Sequence, residues 1–248
     1  MTQSDSRRRI LLTGSAGRIG TAYRIHAADA YSFRLVDLRP TADAGEHECH
    51  VADLADLETT RALCEGIDTV VHMAADPRTW ADFYDDLLGP NFKATYNIFR
   101  AAKDAGCRRV VFASSVNAVF GYPADRQVRT YDAPMPGNVY GASKAFGESL
   151  GAYFGLREGL STLCIRIGAV GDLSHIVGDT PVDVRSIFVT LRDLCHLLDR
   201  CIETPDIDYM IVHGVSNNQH SWLDLNDTRS RLGYNPVDDA FNPERSAS

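Results

Sequence analysis

Three glycines at intervals of three residues, Gly14, Gly17 and Gly20, constrain the fold of this chain more than any other feature. An apolar run over residues 9–12 precedes them, and a helical pattern over residues 21–30 follows them. Glycines at this spacing permit a tight turn, close approach of a pyrophosphate to backbone amides, and close packing of helix on strand. The phosphates then face the positive end of the helix dipole. The sequence therefore predicts a dinucleotide-binding turn between a first strand and a first helix.

A second apolar run, residues 33–36, ends in Asp37, which lies 23 residues after Gly14. A carboxylate at this distance accepts hydrogen bonds from the adenosine ribose and repels the additional phosphate of NADP. The sequence therefore predicts NAD as the cofactor. Arg18 and Arg39 are close enough in the sequence to leave NADP as an alternative.

Later apolar runs predict strands over residues 50–54, 69–75, 109–113, 163–168 and 209–212. Helical patterns are found over residues 83–105, 187–201 and 223–232 and from Tyr140 onward. Strands that alternate with helical segments of this length indicate a parallel sheet covered by helices on both faces. Ligands of such sheets bind beyond the carboxyl ends of the strands, where all of these motifs fall.

Residues at these strand ends are candidate cofactor contacts. Asp53, in the third predicted strand, lies where an adenine amino group would be recognised, although its carboxylate could instead cap the next helix. Ala74 and Ala75 close the fourth predicted strand and leave room for a cofactor against the backbone. His72, just before them, fits a packing residue better than a catalyst.

Tyr140 and Lys144 stand four residues apart in a helical pattern, so they share one face of the helix. A phenol has an ordinary pKa of about 10, and a nearby cation lowers that pKa toward the range of a general base. The spacing alone also fits a surface pair. Because the other motifs converge on the same edge of the sheet, the catalytic interpretation is favoured.

Composition limits the function classes that are open to the chain. Its 248 residues carry a net charge of −8 without a basic stripe, which argues against a nucleic-acid partner or an anionic membrane surface. No apolar run approaches the roughly 18 residues of a membrane span. Six cysteines without a Cys-x-x-Cys pair suit reduced thiols in the cytoplasm. His47 and His50 have a spacing that a metal could use, but no second ligand pair follows, so no metal is predicted.

The motifs occur in the order typical of one superfamily, at residues 13–20, 53–54, 72–75, 91–97, 114–115 and 140–144. On these residues the chain resembles an extended short-chain dehydrogenase/reductase, of the NAD-dependent epimerase/dehydratase superfamily, over about residues 9–170. Residues 112–115, 166–168, 214–218 and 232–236 resemble most those of uronate dehydrogenases and archaeal NAD-dependent glucose-6-phosphate dehydrogenases.

The resemblance implies an α/β fold, with a Rossmann-type doubly wound parallel sheet and a small C-terminal substrate-binding portion. Residues 1–248 would form a single domain, with an NAD-binding core over 9–168 and substrate-covering and closing segments over 169–241. Tyr140 would be the general base, and Lys144 its electrostatic partner, which also holds the nicotinamide ribose. Ser115, which lies 25 residues before Tyr140, would be the catalytic hydroxyl rather than Ser114. The predicted cofactor contacts are Gly14, Gly17, Arg18, Ile19, Gly20, Asp37, Asp53, Leu54, Ala74, Ala75, Asn91, Tyr140 and Lys144.

The substrate side departs from the resemblance. Uronate dehydrogenases follow the paired serines with Asn-His, whereas this chain has Val116 and Asn117, so their substrate does not simply carry over. A loop over residues 169–184, rich in Gly, Asp and Pro, fits a substrate cover. Arg185 could bind a carboxylate or phosphate through its bidentate guanidinium, or could be a solvated charge at a helix end. The predicted substrate contacts are Asp76, Ser115, Asn117 and Arg185.

Related enzymes that act on nucleotide sugars hold the nucleotide with longer C-terminal segments than the 80 residues that follow Gly168 here. A free sugar, sugar acid or sugar phosphate is therefore expected, oxidised at its anomeric carbon to a lactone. An epimerase that retains NAD is the main alternative. A dehydratase would need an Asp-Glu pair at Val116 and Asn117, and a non-enzymatic dinucleotide sensor would not need Tyr140 and Lys144. The resemblance also implies a homodimer, built on the helix at residues 83–105 and on the helix that carries Tyr140.

Overall fold

A seven-stranded parallel sheet organises the chain, of which the computed structural model describes residues 7–244. In chain order the elements are β1 (Arg8–Thr13), α1 (Arg18–His26), β2 (Tyr31–Asp37), β3 (Glu48–Val51), α2 (Leu57–Cys64), β4 (Thr69–His72), a π-helical segment (Phe83–Lys93), α3 (Ala94–Asp104), β5 (Arg109–Ser115), a 3₁₀ turn (Val116–Ala118), α4 (Val139–Glu158), β6 (Ser161–Ile167), β7 (Ala169–Gly171), a 3₁₀ turn (Leu173–His175), α5 (Val182–Ser186), β8 (Phe188–Thr190), α6 (Leu191–Glu203), β9 (Tyr209–Gly214) and α7 (Asn226–Leu232). The sheet order is β3-β2-β1-β4-β5-β6-β9, which confirms the predicted doubly wound fold.

The central strands β1, β4, β5 and β6 are buried on both faces, so apolar side chains on either side of each of them build a core. Ile10 and Leu12 of β1 belong to a cluster that includes side chains of α1 and α6. Leu11, between them, belongs to a second cluster with side chains of α2, α3 and α4. This is why the strands appear in the sequence as continuous apolar runs rather than as alternating patterns.

The third strand lies earlier than predicted. It spans Glu48–Val51 rather than residues 50–54, in register with β2 from Arg34 opposite Glu48 to Asp37 opposite Val51. Asp53 consequently lies in the turn that follows, where its side chain accepts a hydrogen bond from the backbone N–H of Ala55. The cap of α2 is Asp56, whose side chain accepts a hydrogen bond from Thr59 N.

The helix predicted over residues 83–105 is continuous, but its first half is π-helical. A proline inside an α-helix removes one hydrogen bond and clashes with the preceding turn, so Pro90 is a poor α-helical residue. The wider π-helical turns accommodate Pro90, with bonds such as that from Leu87 N to Asp82 O. The Gly89–Pro90 pair therefore changes the winding of the helix without ending it.

The C-terminal portion contains more regular structure than predicted. Residues 169–184 include β7, which pairs in parallel with β8, and the start of α5. The predicted helix over residues 187–201 begins only at Leu191, because the side chain of Thr190 caps it by accepting a hydrogen bond from Asp193 N. The closing helix likewise begins at Asn226 rather than at residue 223. No helix within residues 7–244 is long and apolar enough to cross a membrane.

A buried ion pair joins three elements behind the carboxyl ends of β5 and β6. Glu148 of α4 and Arg166 of β6 form two hydrogen bonds of 2.9 Å, and both side chains are almost completely buried. Ser114 of β5 donates to the same carboxylate at 2.6 Å. Arg166 also donates to the backbone carbonyl of Asp132, in the loop that leads to α4. The pair therefore fixes α4 and this loop relative to the end of β5.

Candidate active site

The glycine-rich turn is packed too tightly for side chains at two of its three glycines. Gly14 has a φ of +69°, and a Cβ atom there would lie 2.8 Å from the backbone nitrogen of Ala74. At Gly20, a Cβ would lie 2.3 Å from the carbonyl oxygen of Gly14. The N-terminus of α1 is thus held directly against β1 and β4, which leaves its amides facing the edge of the sheet.

A cleft of about 730 Å³ lies at this edge, where the chain reverses between β1 and β4. Such a switch point is the usual position of a dinucleotide site in a doubly wound sheet, and the volume suits a cofactor. Most of the predicted cofactor contacts line it, namely Gly14, Gly17, Arg18, Ile19, Gly20, Asp37, Asp53, Leu54, Ala74 and Ala75. The residues present therefore fit an NAD molecule.

Asp37 is held rigidly at the rim of this cleft. Its carboxylate accepts hydrogen bonds from Ala16 N at 3.0 Å and from Arg39 N at 3.1 Å. The Arg39 side chain is 74% exposed and 3.9 Å from the carboxylate, whereas Arg18 donates to the carbonyl of Val170. A fixed carboxylate suits two ribose hydroxyls better than a phosphate, so this geometry favours NAD over NADP.

Asn91 is buried among protein partners and does not line the cleft. Its amide exchanges two hydrogen bonds with the backbone of Asp76, at 2.8 and 3.0 Å. Its Nδ2 also donates to Ser143 Oγ, which in turn donates to the carbonyl of Tyr140. Asn91 thus joins the Asp76 loop to α4. Its predicted contact with the cofactor stays a prediction.

Asp76, predicted to contact the substrate, lies beside the cleft with its charge already paired. Arg78 binds its carboxylate through Nε and a terminal nitrogen, and also binds Asp86. Arg78 keeps the pKa of the Asp76 carboxyl below its usual range. Asp76 therefore remains charged at neutral pH, and its charge raises the pKa of Tyr140.

The predicted catalytic side chains meet where β5 ends and α4 begins. Consecutive strand residues point to opposite faces, so Ser114 bonds Glu148 while Ser115 lies next to Tyr140. Lys144 follows one helical turn later, with its Nζ 5.6 Å from the centre of the Tyr140 ring. The structure therefore brings together the three residues that the sequence selects, and it separates Ser114 from them.

Burial dominates the proton affinities at this site. It raises the pKa of Tyr140, and the neighbouring Ser115 opposes that shift. Burial also lowers the pKa of Lys144 to about 8. The sequence predicted that Lys144 would lower the pKa of Tyr140, but the pKa is raised instead, because a phenolate is costly in a buried position.

His72 lies behind Lys144 and has a packing role. It is buried, and its Nδ1 lies 2.7 Å from Thr13 Oγ1. Burial, reinforced by the charge of Lys144, lowers the pKa of His72 to about 3, so the ring stays neutral. Thr13 Oγ1 also accepts a hydrogen bond from Ala74 N, so this group holds the ends of β1 and β4 together.

The two remaining predicted substrate contacts differ in their surroundings. Asn117 is fully engaged by protein groups, with Nδ2 3.2 Å from Ser115 Oγ and Oδ1 2.9 Å from Asn138 Nδ2. Arg185 in α5 is half-buried, with its guanidinium stacked 4.8 Å from the ring centre of Phe241. Its Nε is buried and has no hydrogen-bond partner within residues 7–244. Arg185 does not line the cleft, so the structure does not bring it together with the other predicted site residues.

The two histidines considered as metal ligands are engaged elsewhere. His50 Nε2 lies 2.7 Å from Glu48 Oε1, and the His47 ring packs edge-on against Phe33. No cluster of three metal-ligating side chains occurs in the part of the chain that the structure describes.

Several site residues escaped the sequence analysis. Asn138 caps α4 by accepting a hydrogen bond from Gly141 N at 2.7 Å, and an Asn just before a helical pattern is a recognisable cap signal. Glu148 stands two helical turns after Tyr140, on the same face, but nothing in the sequence indicates that Arg166 would be its partner. That pairing depends on the order of the strands.

A dinucleotide cleft at the switch point of a parallel sheet, next to a Ser–Tyr–Lys set, defines a short-chain dehydrogenase/reductase type of protein. Residues 10–171 match the family model described as "NAD dependent epimerase/dehydratase family". The chain therefore belongs to this family, which confirms both the predicted superfamily and the prediction of NAD as the cofactor.

Known proteins agree with this assignment. The chain is 36% identical to the NAD-dependent glucose-6-phosphate dehydrogenase of Haloferax volcanii, over 93% of this chain and 94% of that protein. It is 34% identical to a uronate dehydrogenase of Pseudomonas syringae pv. tomato, over 93% and 82% of the respective lengths. Among solved structures, an NAD complex of a mutant uronate dehydrogenase from Agrobacterium tumefaciens has a TM-score of 0.87 and 30% identity, over 97% of this chain and 88% of that one.

Replacing Asp37 should change the cofactor preference. In Asp37→Ser, the ribose hydroxyls lose an acceptor and a 2′-phosphate no longer meets a carboxylate. We expect the ratio of kcat/KM for NAD to that for NADP to fall by about 10-fold or more, equivalent to roughly 1.4 kcal/mol. Steady-state kinetics with both cofactors measure this ratio, and Asp85→Asn, outside the cleft, is the control. An unchanged ratio would contradict the placement of the ribose at Asp37.

Proposed function

We propose that this chain is an NAD-dependent dehydrogenase that oxidises a small sugar, sugar acid or sugar phosphate at its anomeric carbon and gives a lactone. The observation that carries the proposal is the grouping of Ser115, Tyr140 and Lys144 at the end of β5, the strand whose Ala113 lines the dinucleotide cleft. Its similarity to a glucose-6-phosphate dehydrogenase and to uronate dehydrogenases supports this substrate class.

Each residue of the set has a separate role in the proposed reaction. Tyr140, as the phenolate, accepts the proton of the anomeric hydroxyl. Ser115 donates a hydrogen bond to the same oxygen as it becomes a carbonyl oxygen. Lys144, almost completely buried next to the Tyr140 ring, stabilises the negative charge that the phenolate carries.

NAD would be held by the glycine turn and Asp37, and when bound it supplies the acceptor for the hydride that leaves the anomeric carbon. The chain's own contribution is orientation and proton transfer. The buried position of Tyr140 keeps bulk water away from the proton acceptor, and the Asp76 loop, fixed by Asn91, forms part of the cleft wall.

The test is a substrate panel. Purified protein is mixed with NAD, and separately with NADP, and absorbance of the reduced cofactor is followed with neutral aldoses, uronic acids and sugar phosphates. We expect net reduction with one class, and a loss of at least about 100-fold in kcat in Tyr140→Phe, because the proton acceptor is gone. Tyr153→Phe is the matched control, since this tyrosine is exposed on the same helix.

The outcome that would contradict the proposal is equally specific. No substrate would give net cofactor reduction, and the protein would instead carry tightly bound NAD through purification. An epimerase that recycles its NAD would then be favoured, and nucleotide sugars would be the next panel.

Arg185 is proposed to bind the acidic group of the substrate. In Arg185→Met, we expect KM for a uronic acid or sugar phosphate to rise about 10- to 100-fold, as expected for the loss of a charge-assisted hydrogen bond. KM for a neutral aldose should stay the same. Arg61→Met, which removes a partly exposed arginine paired with Glu58, is the control. Equal effects on acidic and neutral substrates would instead indicate that Arg185 only packs against Phe241.

We also propose that the protein is a homodimer that uses the face formed by the π-helical segment, α3 and α4. Large apolar side chains are exposed there, at Tyr84, Tyr96, Tyr153 and Leu156. Light scattering should give twice the chain mass of 27.3 kDa, and Tyr153→Glu combined with Leu156→Glu should give the single mass. Ile25→Glu, on α1 and equally exposed, should leave the dimer intact. A wild-type protein with the single mass would contradict this proposal.

A cytoplasmic location completes the proposal. All six cysteines lie in the part of the chain that the structure describes, where they are free thiols, and five of them are buried. This is the pattern expected of a protein from a reducing compartment.

A further inference from the structure

Asn117 links the catalytic serine to the start of the catalytic helix. It lies in the 3₁₀ turn that follows β5, two residues after Ser115. Its backbone N–H and its Nδ2 both donate to Ser115 Oγ, at 3.1 and 3.2 Å. Its Oδ1 accepts a hydrogen bond of 2.9 Å from Asn138 Nδ2. Asn138 in turn caps α4 through Gly141 N.

The direction of every hydrogen bond in the series from Ser115 to Gly141 follows from the bond at Gly141. The Gly141 N–H can only donate, so the Asn138 atom that faces it must be the carbonyl oxygen. Asn138 then presents its NH₂ group to Asn117, which must receive it with Oδ1. Nδ2 is therefore the Asn117 atom that faces Ser115, and it acts as a donor.

This arrangement determines what the Ser115 hydroxyl can do. A hydroxyl oxygen has two lone pairs, and Asn117 supplies two donors to it. The remaining capacity of Ser115 is its O–H, which is left to donate. Ser115 lies close enough to Tyr140 to oppose the rise in its pKa that burial causes, so this O–H is available to the Tyr140 oxygen. A donated hydrogen bond stabilises a phenolate at Tyr140 and later the oxygen of the substrate.

Tight packing keeps Ser115 and Gly141, the two ends of this series of hydrogen bonds, in place. A Cβ atom at Gly141 would lie 2.2 Å from the carbonyl oxygen of Asn117, so the first turn of α4 rests directly on the Asn117 backbone. Gly137 N also approaches the same carbonyl, at 3.4 Å. The distance between Ser115 and Tyr140 is consequently set by direct contact between their two elements.

We propose that Asn117 is a positioning residue, which fixes the Ser115 hydroxyl as a donor toward Tyr140 and the reacting oxygen, rather than a substrate contact. The inference deepens the proposed dehydrogenase function and rests on it. It also accounts for a departure from the uronate dehydrogenases, in which the paired serines are followed by a different pair of residues. Here, position 117 orients the serine instead of reading the sugar.

Few charged groups face Tyr140, so a change at Asn117 can be detected there. Lys144 lies on the same helix, and Asp76, paired with Arg78, lies on the loop after β4. His72, from β4, is neutral. Asn117 carries no charge, so its replacement by Ala alters none of these groups. Any change in the Tyr140 pKa would then report on the hydrogen bond from Ser115.

The test measures this pKa directly, by carbon-13 NMR titration of protein labelled at tyrosine Cζ, with the Tyr140 signal assigned from Tyr140→Phe. Hydrogen bonds in a chain strengthen one another, so Asn117→Ala should raise the pKa of Tyr140 by about half a unit. Asn117→Asp has the same shape and still accepts from Asn138, but it presents an acceptor to Ser115. It should raise this pKa by about one unit or more, because it also adds a negative charge.

Activity gives a second readout. The acid limb of the pH profile of kcat should move upward by the same amounts, while KM for substrate and for NAD changes less than about 2-fold. Asn226→Ala, at the exposed start of α7, is the matched control and should change neither quantity. A merely structural asparagine would leave the Tyr140 titration and the pH profile of Asn117→Ala as in the wild type, and this result would overturn the proposal. A rise of 10-fold or more in substrate KM with an unchanged pKa would overturn it in favour of a substrate contact.

The two proposals can fail separately. The NMR titration needs no turnover, so a shifted pKa together with no dehydrogenase activity would refute the proposed reaction and leave the role of Asn117 standing. An active dehydrogenase whose Tyr140 titrates normally in Asn117→Ala would refute the role of Asn117 alone.

Discussion

The arrangement of the candidate site depends on one buried ion pair, that between Glu148 and Arg166. Both side chains are almost completely removed from water, so removing either partner would leave an isolated buried charge, at a cost of roughly 3–5 kcal/mol. This is a large part of the total stability of a typical domain, roughly 5–15 kcal/mol. Because Ser114 and the Asp132 carbonyl bind the same pair, the end of β5, the helix α4 and the loop between them share one anchor.

The chemistry of the site follows from where these elements end. The glycine turn closes the end of β1, Asp37 ends β2, and Ser115 ends β5, so all three lie at the carboxyl edge of the parallel sheet. Tyr140 and Lys144 reach this edge because the first turn of α4 rests on the residues after β5. A cofactor cleft and a proton acceptor are thus neighbours as a consequence of sheet topology.

Burial gives the site its electrostatic character. It disfavours the phenolate at Tyr140 and the ammonium at Lys144, so the pKa of Tyr140 rises, the pKa of Lys144 falls to about 8, and the two values move apart. Near neutral pH, Lys144 loses its proton more easily in this site than it would in water. Tyr140 loses its proton less easily than it would in water. Ser115 opposes the rise in the pKa of Tyr140, and for this reason the orientation of the Ser115 hydroxyl matters.

Local signals in the sequence were sufficient for the fold and for most of the cleft, because the glycine turn, Asp37 and the Tyr140–Lys144 spacing depend on near neighbours in the chain. The errors in the predicted helix boundaries also have local physical causes. Pro90 does not end the predicted helix over residues 83–105, because π-helical turns absorb it, whereas Thr190 delays the start of α6 by capping it. The pairing of Arg166 with Glu148 and the bond from Asn138 to Asn117 depend on which strands and helices become neighbours, and no local pattern predicts that.

The most direct test of the central claim follows one hydrogen atom. The protein is incubated with NAD and with a uronic acid or sugar phosphate that carries deuterium on the anomeric carbon, and both products are examined by mass spectrometry and NMR. A dehydrogenase of the proposed type would transfer the deuterium to C4 of the nicotinamide and release reduced cofactor together with a lactone. Deuterium that stays in a sugar of altered configuration, with no net reduction of NAD, would contradict the account.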